Sequence, residues 1–247
     1  MFAIIPEFSS WAAWNFRPLH WLAWGAMVLV LTHGGACLPR WADHYAQRLE
    51  LGAIPDAATL WGAAGVAWRR RRLAWPDRVC AALWGGGAGA ATAFWGASAL
   101  EPLGLCLTLM SLGWIDARSG LLPDAITLPL MVAGWLCGPL PLEAASSASA
   151  LVWAGLAAAA GGYRWLRGQD GFGAGDVKCL AALAAWLGVP ATMSVLWQAC
   201  VVGLVAWAWQ RCFGRGGRSR SGGPFGPCIA AAAIPAISGV PALQSWF

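Results

Sequence analysis

Charge is scarce in this 247-residue chain: only 11% of residues are Asp, Glu, Lys or Arg, while 59% are hydrophobic and the mean hydropathy is +0.58. Apolar stretches recur along the whole length, so the chain reads as a polytopic membrane protein. Strict alternation of polar and apolar residues, the mark of a barrel strand, is missing, which leaves helices as the spanning form and an all-α fold. Paired cysteines are also missing. The eight cysteines at 37, 80, 106, 137, 179, 200, 212 and 228 are scattered, with none at C-x-x-C spacing, and indicate neither a zinc knuckle nor a disulfide framework. His20, His33 and His44 are the only histidines, and no nearby Cys, Ser or Asp pattern makes them nucleophile partners or ligands, so no metal is expected. The residues before the first apolar run lack a basic start, and no small-residue cleavage site follows it, so no cleavable signal peptide is expected.

What the chain does contain is a series of apolar runs. A hydrocarbon core of roughly 30 Å takes about 20 helical residues. Candidate spans lie near Leu19–Leu38, Val79–Leu100, Leu103–Ile115, Ala125–Leu142, Ala148–Tyr163, Cys179–Gly188, Met193–Gln210 and Cys228–Trp246, giving a bundle of about eight transmembrane helices. With eight crossings, every Lys and Arg except Arg17 falls in the connections Arg40–Arg78, Asp116–Asp124, Arg164–Lys178 and Arg211–Arg220. Basic residues mark the cytoplasmic side. Merging the short Cys179–Gly188 run with its successor would put Arg211, Arg215, Arg218 and Arg220 outside, so the two are read as separate helices. The net charge of +5 and the run Arg69–Arg72 are thereby explained as inside anchors near the lipid bilayer, and no nucleic acid is called for. Tryptophans near helix ends, such as Trp21, Trp114, Trp153, Trp186, Trp209 and Trp246, suit the membrane interfaces.

Against that background two carboxylates stand out at the edges of apolar runs: Asp116 in Gly113-Trp-Ile-Asp-Ala-Arg-Ser-Gly-Leu-Leu-Pro-Asp124, and Asp176 in Gly173-Ala-Gly-Asp-Val-Lys178. Ionisable groups at membrane depth are expensive and point to function. Asp124, after Pro123, reads as an N-cap of the next helix, and Asp176 can be read as an N-cap of a helix starting near Val177, with the glycines before it supplying turn conformations. Asp116 has no such role, because a helix C-terminus disfavours an anion. Two aspartates brought together cannot both ionise, so one acts as base toward water while the other keeps its proton and polarises a carbonyl.

Ile115-Asp-Ala-Arg-Ser-Gly-Leu-Leu-Pro-Asp-Ala-Ile-Thr-Leu-Pro-Leu130 and Gly173-Ala-Gly-Asp-Val-Lys-Cys-Leu-Ala-Ala-Leu-Ala-Ala-Trp-Leu-Gly188 resemble the type IV prepilin leader peptidases, membrane aspartic proteases of the G-x-G-D class. Gly223-Pro-Phe-Gly-Pro227 resembles a third segment of the same family. The resemblance implies that Asp116 and Asp176 are the catalytic pair and that Gly173 and Gly175 give the flexible approach that sets Asp176 in place. It also implies that the substrates are the basic leaders of type IV prepilins or type II secretion pseudopilins, cut at the cytoplasmic face of a bacterial inner membrane. Asp124 and Lys178 match supporting positions, and a cation beside the pair could lower one carboxylate's pKa.

The N-terminal region, 1–100, departs from the family pattern. Many members carry two C-x-x-C pairs in the first cytoplasmic loop, linked to metal binding and to methylation of the new N-terminus by S-adenosylmethionine. Here the basic loop 39–78 has no cysteine. S-adenosylmethionine is therefore expected only if methylation survives without that loop, whereas the peptidase domain, 101–247, keeps its motifs. Two other classes compete. A proton-coupled carrier would use the aspartates as a relay, but the acidic groups cluster at one side and no repeated halves are visible. An inactive subunit of a pilus or secretion assembly would keep the fold without the aspartates and glycines that are present.

Overall fold

The computed structural model describes residues 37–69, 78, 79, 86, 100–169, 171–213 and 223–237. The expected spans Leu19–Leu38 and Val79–Leu100 lie almost wholly outside these residues, as do Arg17, His20, His33, Arg70–Arg72, Arg215, Arg218, Arg220 and everything after Ile237. The described elements are α1 (37–50), α2 (Ala57–Arg69), α3 (Leu100–Ser119), α4 (Asp124–Cys137), α5 (Leu142–Arg167), α6 (Ala174–Phe213) and α7 (Gly226–Ile237), and no strand occurs among the described residues.

Residues 39–78, read from the sequence as a basic loop, are instead largely helical. Leu38, Ala42 and Tyr45 are buried and Leu49 partly so, a spacing that puts them on one stripe of α1. Leu60, Ala63 and Ala67 form the matching stripe of α2, fully buried. Asp56 caps α2 by accepting the Thr59 amide at 2.7 Å. Gly52, at φ 86°, turns the chain between them. The Trp41 indole donates to the Leu60 carbonyl at 3.0 Å and stacks on Trp61, so α1 and α2 close into a helical hairpin.

Helix α6 is where the sequence reading and the contour of the chain meet. Its 40 residues are interrupted at Gly188, whose φ 77° and ψ 171° are not helical, just before Pro190. A straight helix at 1.5 Å per residue would carry Gly203 about 40 Å from Ala174. Phe225 nevertheless reaches both ends: its ring lies 5.8 Å from that of Phe172, and a Cβ on Gly203 would stand 3.7 Å from it. The chain therefore folds back at Gly188 into two arms. The first arm is buried all round, with Leu180, Ala182, Leu183, Ala184 and Ala185 at 0% exposure. This makes it the central helix, packed by α4, α5 and α7.

Small residues let the backbones approach. A Cβ on Gly134 of α4 would meet the Ala185 Cβ at 2.7 Å, and beside it the Trp186 indole donates to the Leu130 carbonyl at 2.9 Å. Hydroxyls inside the helices bond their own backbone, as Ser111 does to Leu107 and Thr192 to Gly188, and Trp135 donates across to Ser149. The outer faces of α5 and of the second arm of α6 expose Leu151, Trp165, Trp197, Leu204 and Trp209. By length and composition Leu142–Arg167 and Ala174–Cys212 are apolar enough to cross a membrane.

Gly134→Val is expected to destabilise the protein by about 1–3 kcal/mol through overpacking against the central arm. Gly155→Ala, in α5 with open space around it, is expected to be neutral or stabilising by up to about 1 kcal/mol. Thermal unfolding of the two variants in detergent checks the contrast.

Candidate active site

Asp116 lies in the last turn of α3 and is 6% exposed, a buried acid at the end of a helix whose dipole disfavours it. The compensation comes from another helix. The Gly226 N–H, at the start of α7, donates to Asp116 Oδ2 at 2.7 Å, and the Phe225 amide adds a second backbone interaction. This approach requires glycine twice. A Cβ on Gly226 would stand 2.9 Å from the Asp116 Cβ, and one on Gly113, a turn earlier in α3, would stand 3.2 Å from the Pro227 Cα.

Asp176 sits in the first turn of α6. Gly173 holds the N-cap position, its carbonyl accepting the Val177 amide at 3.2 Å, and the Asp176 carboxylate reaches back to the Gly173 backbone. Asp176 is therefore not the N-cap that the sequence allowed. Nor do the glycines serve turn conformations, since neither has positive φ. A Cβ on Gly173 would meet Asp176 Oδ2 at 2.7 Å, and one on Gly175 would meet the Leu122 Cβ at 3.0 Å, so both are needed for close approach.

The two carboxylates face one cavity of about 800 Å³, and the Asp116 charge acts on Asp176. Asp124 and Lys178 line the same cavity and pair with each other at 2.6 Å, both partly exposed. Asp124 is thus the first residue of α4 rather than its cap, a position that falls to Pro123, and Lys178 is engaged by Asp124 rather than by either of the paired aspartates. Among the described residues no group of His, Cys, Asp and Glu is assembled to hold a metal.

The hairpin supplies a wall that sequence reasoning missed. Tyr45 and Asp56 line the cavity. The backbone amide and hydroxyl of Thr59 hold the Asp56 carboxyl below its ordinary range, so this wall is anionic. Tyr45 is fully buried, and among the described residues its hydroxyl has no hydrogen-bond partner. Of the missed residues, Gly113 and Gly226 carried a signal. A glycine three residues before an aspartate shares its helix face, and the 223–227 segment had been singled out without a role.

Residues 103–208 match the model of the type IV leader peptidase family. Leader peptidase HopD of Escherichia coli is 39% identical over 139 residues, covering 51% of this chain and 84% of that protein. The chain belongs to the type IV leader peptidase family. Within it, the prepilin leader peptidase/N-methyltransferase of Burkholderia pseudomallei (strain K96243) is 41% identical over 150 residues, covering 54% of this chain and 44% of that protein. The protein of the same name from Neisseria gonorrhoeae is 39% identical over 109 residues, covering 42% and 38%. The chain thus spans less than half the length of these two longer leader peptidases. No solved structure matches.

Gly226→Ala is expected to push α7 off Asp116 and to cost about 1–3 kcal/mol. Gly223→Ala, with nothing within 4 Å, is expected to change stability by less than about 0.5 kcal/mol. Equilibrium unfolding of both in the same detergent checks the assignment.

Proposed function

We propose that this protein is a membrane aspartic endopeptidase that cleaves the leaders of type IV prepilins or type II secretion pseudopilins, with Asp116 and Asp176 as the catalytic pair. The observation that carries the reading is that these two carboxylates, 60 positions apart on separate helices, line one cavity and interact electrostatically. Sharing a proton, they titrate as a unit. The ionised member takes a proton from water, whose oxygen bonds to the scissile carbonyl carbon. The protonated member donates to the carbonyl oxygen, and collapse of the adduct breaks the C–N bond as the amine takes up a proton. Gly173, Gly175, Gly113 and Gly226 are positioning residues, and the Lys178–Asp124 pair holds the rim.

The domain reading follows: 101–247 is the peptidase domain, and 1–100, with its helical hairpin, is an N-terminal membrane region. The protein is multi-pass in the bacterial inner membrane with about eight helices. The fold-back at Gly188 supports the separate short helix in that count, and it returns Arg211 toward the side that carries Asp116 and Asp176, which agrees with a cytoplasmic site. The names of the longer relatives include N-methyltransferase, so S-adenosylmethionine is a cofactor if that activity is retained. The partners are the prepilin or pseudopilin and the bilayer.

Mass spectrometry of a prepilin-like substrate incubated with membranes holding the protein, with S-adenosylmethionine supplied, tests both activities. Asp116→Asn and Asp176→Asn are each expected to lower cleavage by at least about 10³-fold while the protein stays folded and inserted. Asp124→Asn, which removes an exposed ion pair, is expected to cost less than about 1 kcal/mol of stability and little activity. Full cleavage by either of the first two variants ends this reading.

A further inference from the structure

The mechanism above leaves one polar atom in the cavity wall unused. Tyr45 is 0% exposed, and among the described residues its hydroxyl oxygen has no hydrogen-bond partner, although the residue lines the cavity of Asp116 and Asp176. An unpaired buried hydroxyl costs about 1–3 kcal/mol, and phenylalanine would keep the same shape without that cost. The hairpin does not need the oxygen, since it is closed by the Trp41 indole, by the Trp41–Trp61 stack and by the apolar stripes of α1 and α2.

An ion pair between half-exposed side chains links its helix to α3. Two residues before Tyr45, Asp43 accepts Arg118 Nε at 3.1 Å, and Arg118 lies two residues after Asp116. That ion pair ties the turn of α1 carrying Tyr45 to the turn of α3 carrying Asp116. An unsatisfied buried donor on a residue that lines a site is the arrangement expected of a group whose partner arrives with the substrate.

We propose that Tyr45 is a third catalytic residue, its O–H donating a hydrogen bond to the scissile carbonyl oxygen as that oxygen gains negative charge. The proposal rests on the peptidase reading and places the donor in the N-terminal hairpin, outside the residues 103–208 matched by the family model. Tyr45 keeps its proton throughout: the new C–O bond forms from water, the C–N bond breaks, and the aspartates carry the protons. Burial, and after it the Asp56 charge, push the phenol above its ordinary value of 10.0, so the hydroxyl remains a donor across the neutral range. A neutral donor also suits a wall that already holds Asp56, Asp116 and Asp176, since it stabilises an oxyanion without a counter-charge to be desolvated.

The test uses the full chain in phosphatidylethanolamine/phosphatidylglycerol vesicles. The probe is a synthetic peptide in which a short lysine-bearing leader precedes an apolar helix, and kcat and KM are measured for the wild type, Tyr45→Phe and Asp176→Asn. Tyr45→Phe is expected to lower kcat by about 10²–10³-fold with KM within about threefold of wild type. Its Tm is expected to be unchanged or raised, because an unpaired hydroxyl has been removed. Wild-type kcat in Tyr45→Phe overturns the proposal, as does a raised KM at unchanged kcat or a lowered Tm, which would make the oxygen a binding or structural group. If the wild type cleaves, Asp176→Asn does not, and Tyr45→Phe equals wild type, the peptidase reading stands and the Tyr45 role alone falls. If the wild type does not cleave, both fall.

Discussion

A carboxylate in the last turn of a helix faces the negative end of the dipole and, in an apolar bundle, finds no water to offset it. The 2.7 Å bond from the Gly226 amide to Asp116 answers that problem, and much of the architecture follows from it. The start of α7 must lie against the end of α3, so no side chain can stand between them. Glycine at 113 and 226 meets that condition, and the buried alanines at 230 and 233 continue the contact along α7. The same backbone that lowers the cost of the buried acid also brings α7 against the fold-back arm at Gly203.

The second constraint is the central arm of α6. A helix surrounded by protein must be narrow enough for its neighbours to reach one another, and the run Cys179-Leu-Ala-Ala-Leu-Ala-Ala185 meets this with alanine at four of seven positions. Being enclosed, it has no need to span a full bilayer, and its 14 residues before Gly188 come to about 21 Å. Tryptophans and leucines also lie on the perimeter, among them Leu151, Trp165, Trp197, Leu204 and Trp209. Asp176 sits at the entrance of the enclosed arm, so its position is set by the most tightly packed element of the fold.

The helical class, the pair of aspartates and the break near Gly188 were legible in the sequence because each leaves a mark: continuous apolar runs, charge beside an apolar run, and the side on which Arg211–Arg220 would fall if the two runs were merged. The hairpin over 37–69 was not. Its buried faces are made of leucine, alanine and tyrosine among charged residues, a weak stripe that average hydropathy hides and only spacing reveals. Long-range pairings were equally hidden. Asp124 reads as a cap because it follows a proline at a helix start, yet its partner is Lys178, 54 positions away. The roles of Gly173 and Gly175 also depend on what lies opposite them. Sequence marks a glycine's freedom, whereas the tight clearances to Asp176 and Leu122 exist only in the fold.

The family match and the completeness of the site have different extents along the chain. The family match ends at residue 208 and begins at 103, and both aspartates lie inside it. The amide that holds Asp116 comes from 226, and the opposite cavity wall comes from Tyr45 and Asp56, so the setting of the pair is built from flanks on both sides of the match. A cavity whose paired carboxylates come from one segment and whose walls come from others can change what it admits without altering the pair. The hairpin is therefore a structural part of this site in its own right, packed by its own stripes and joined to α3 by the half-exposed Asp43–Arg118 ion pair. Its two helices bury Tyr45, Leu60, Ala63 and Ala67, and that packing sets the wall.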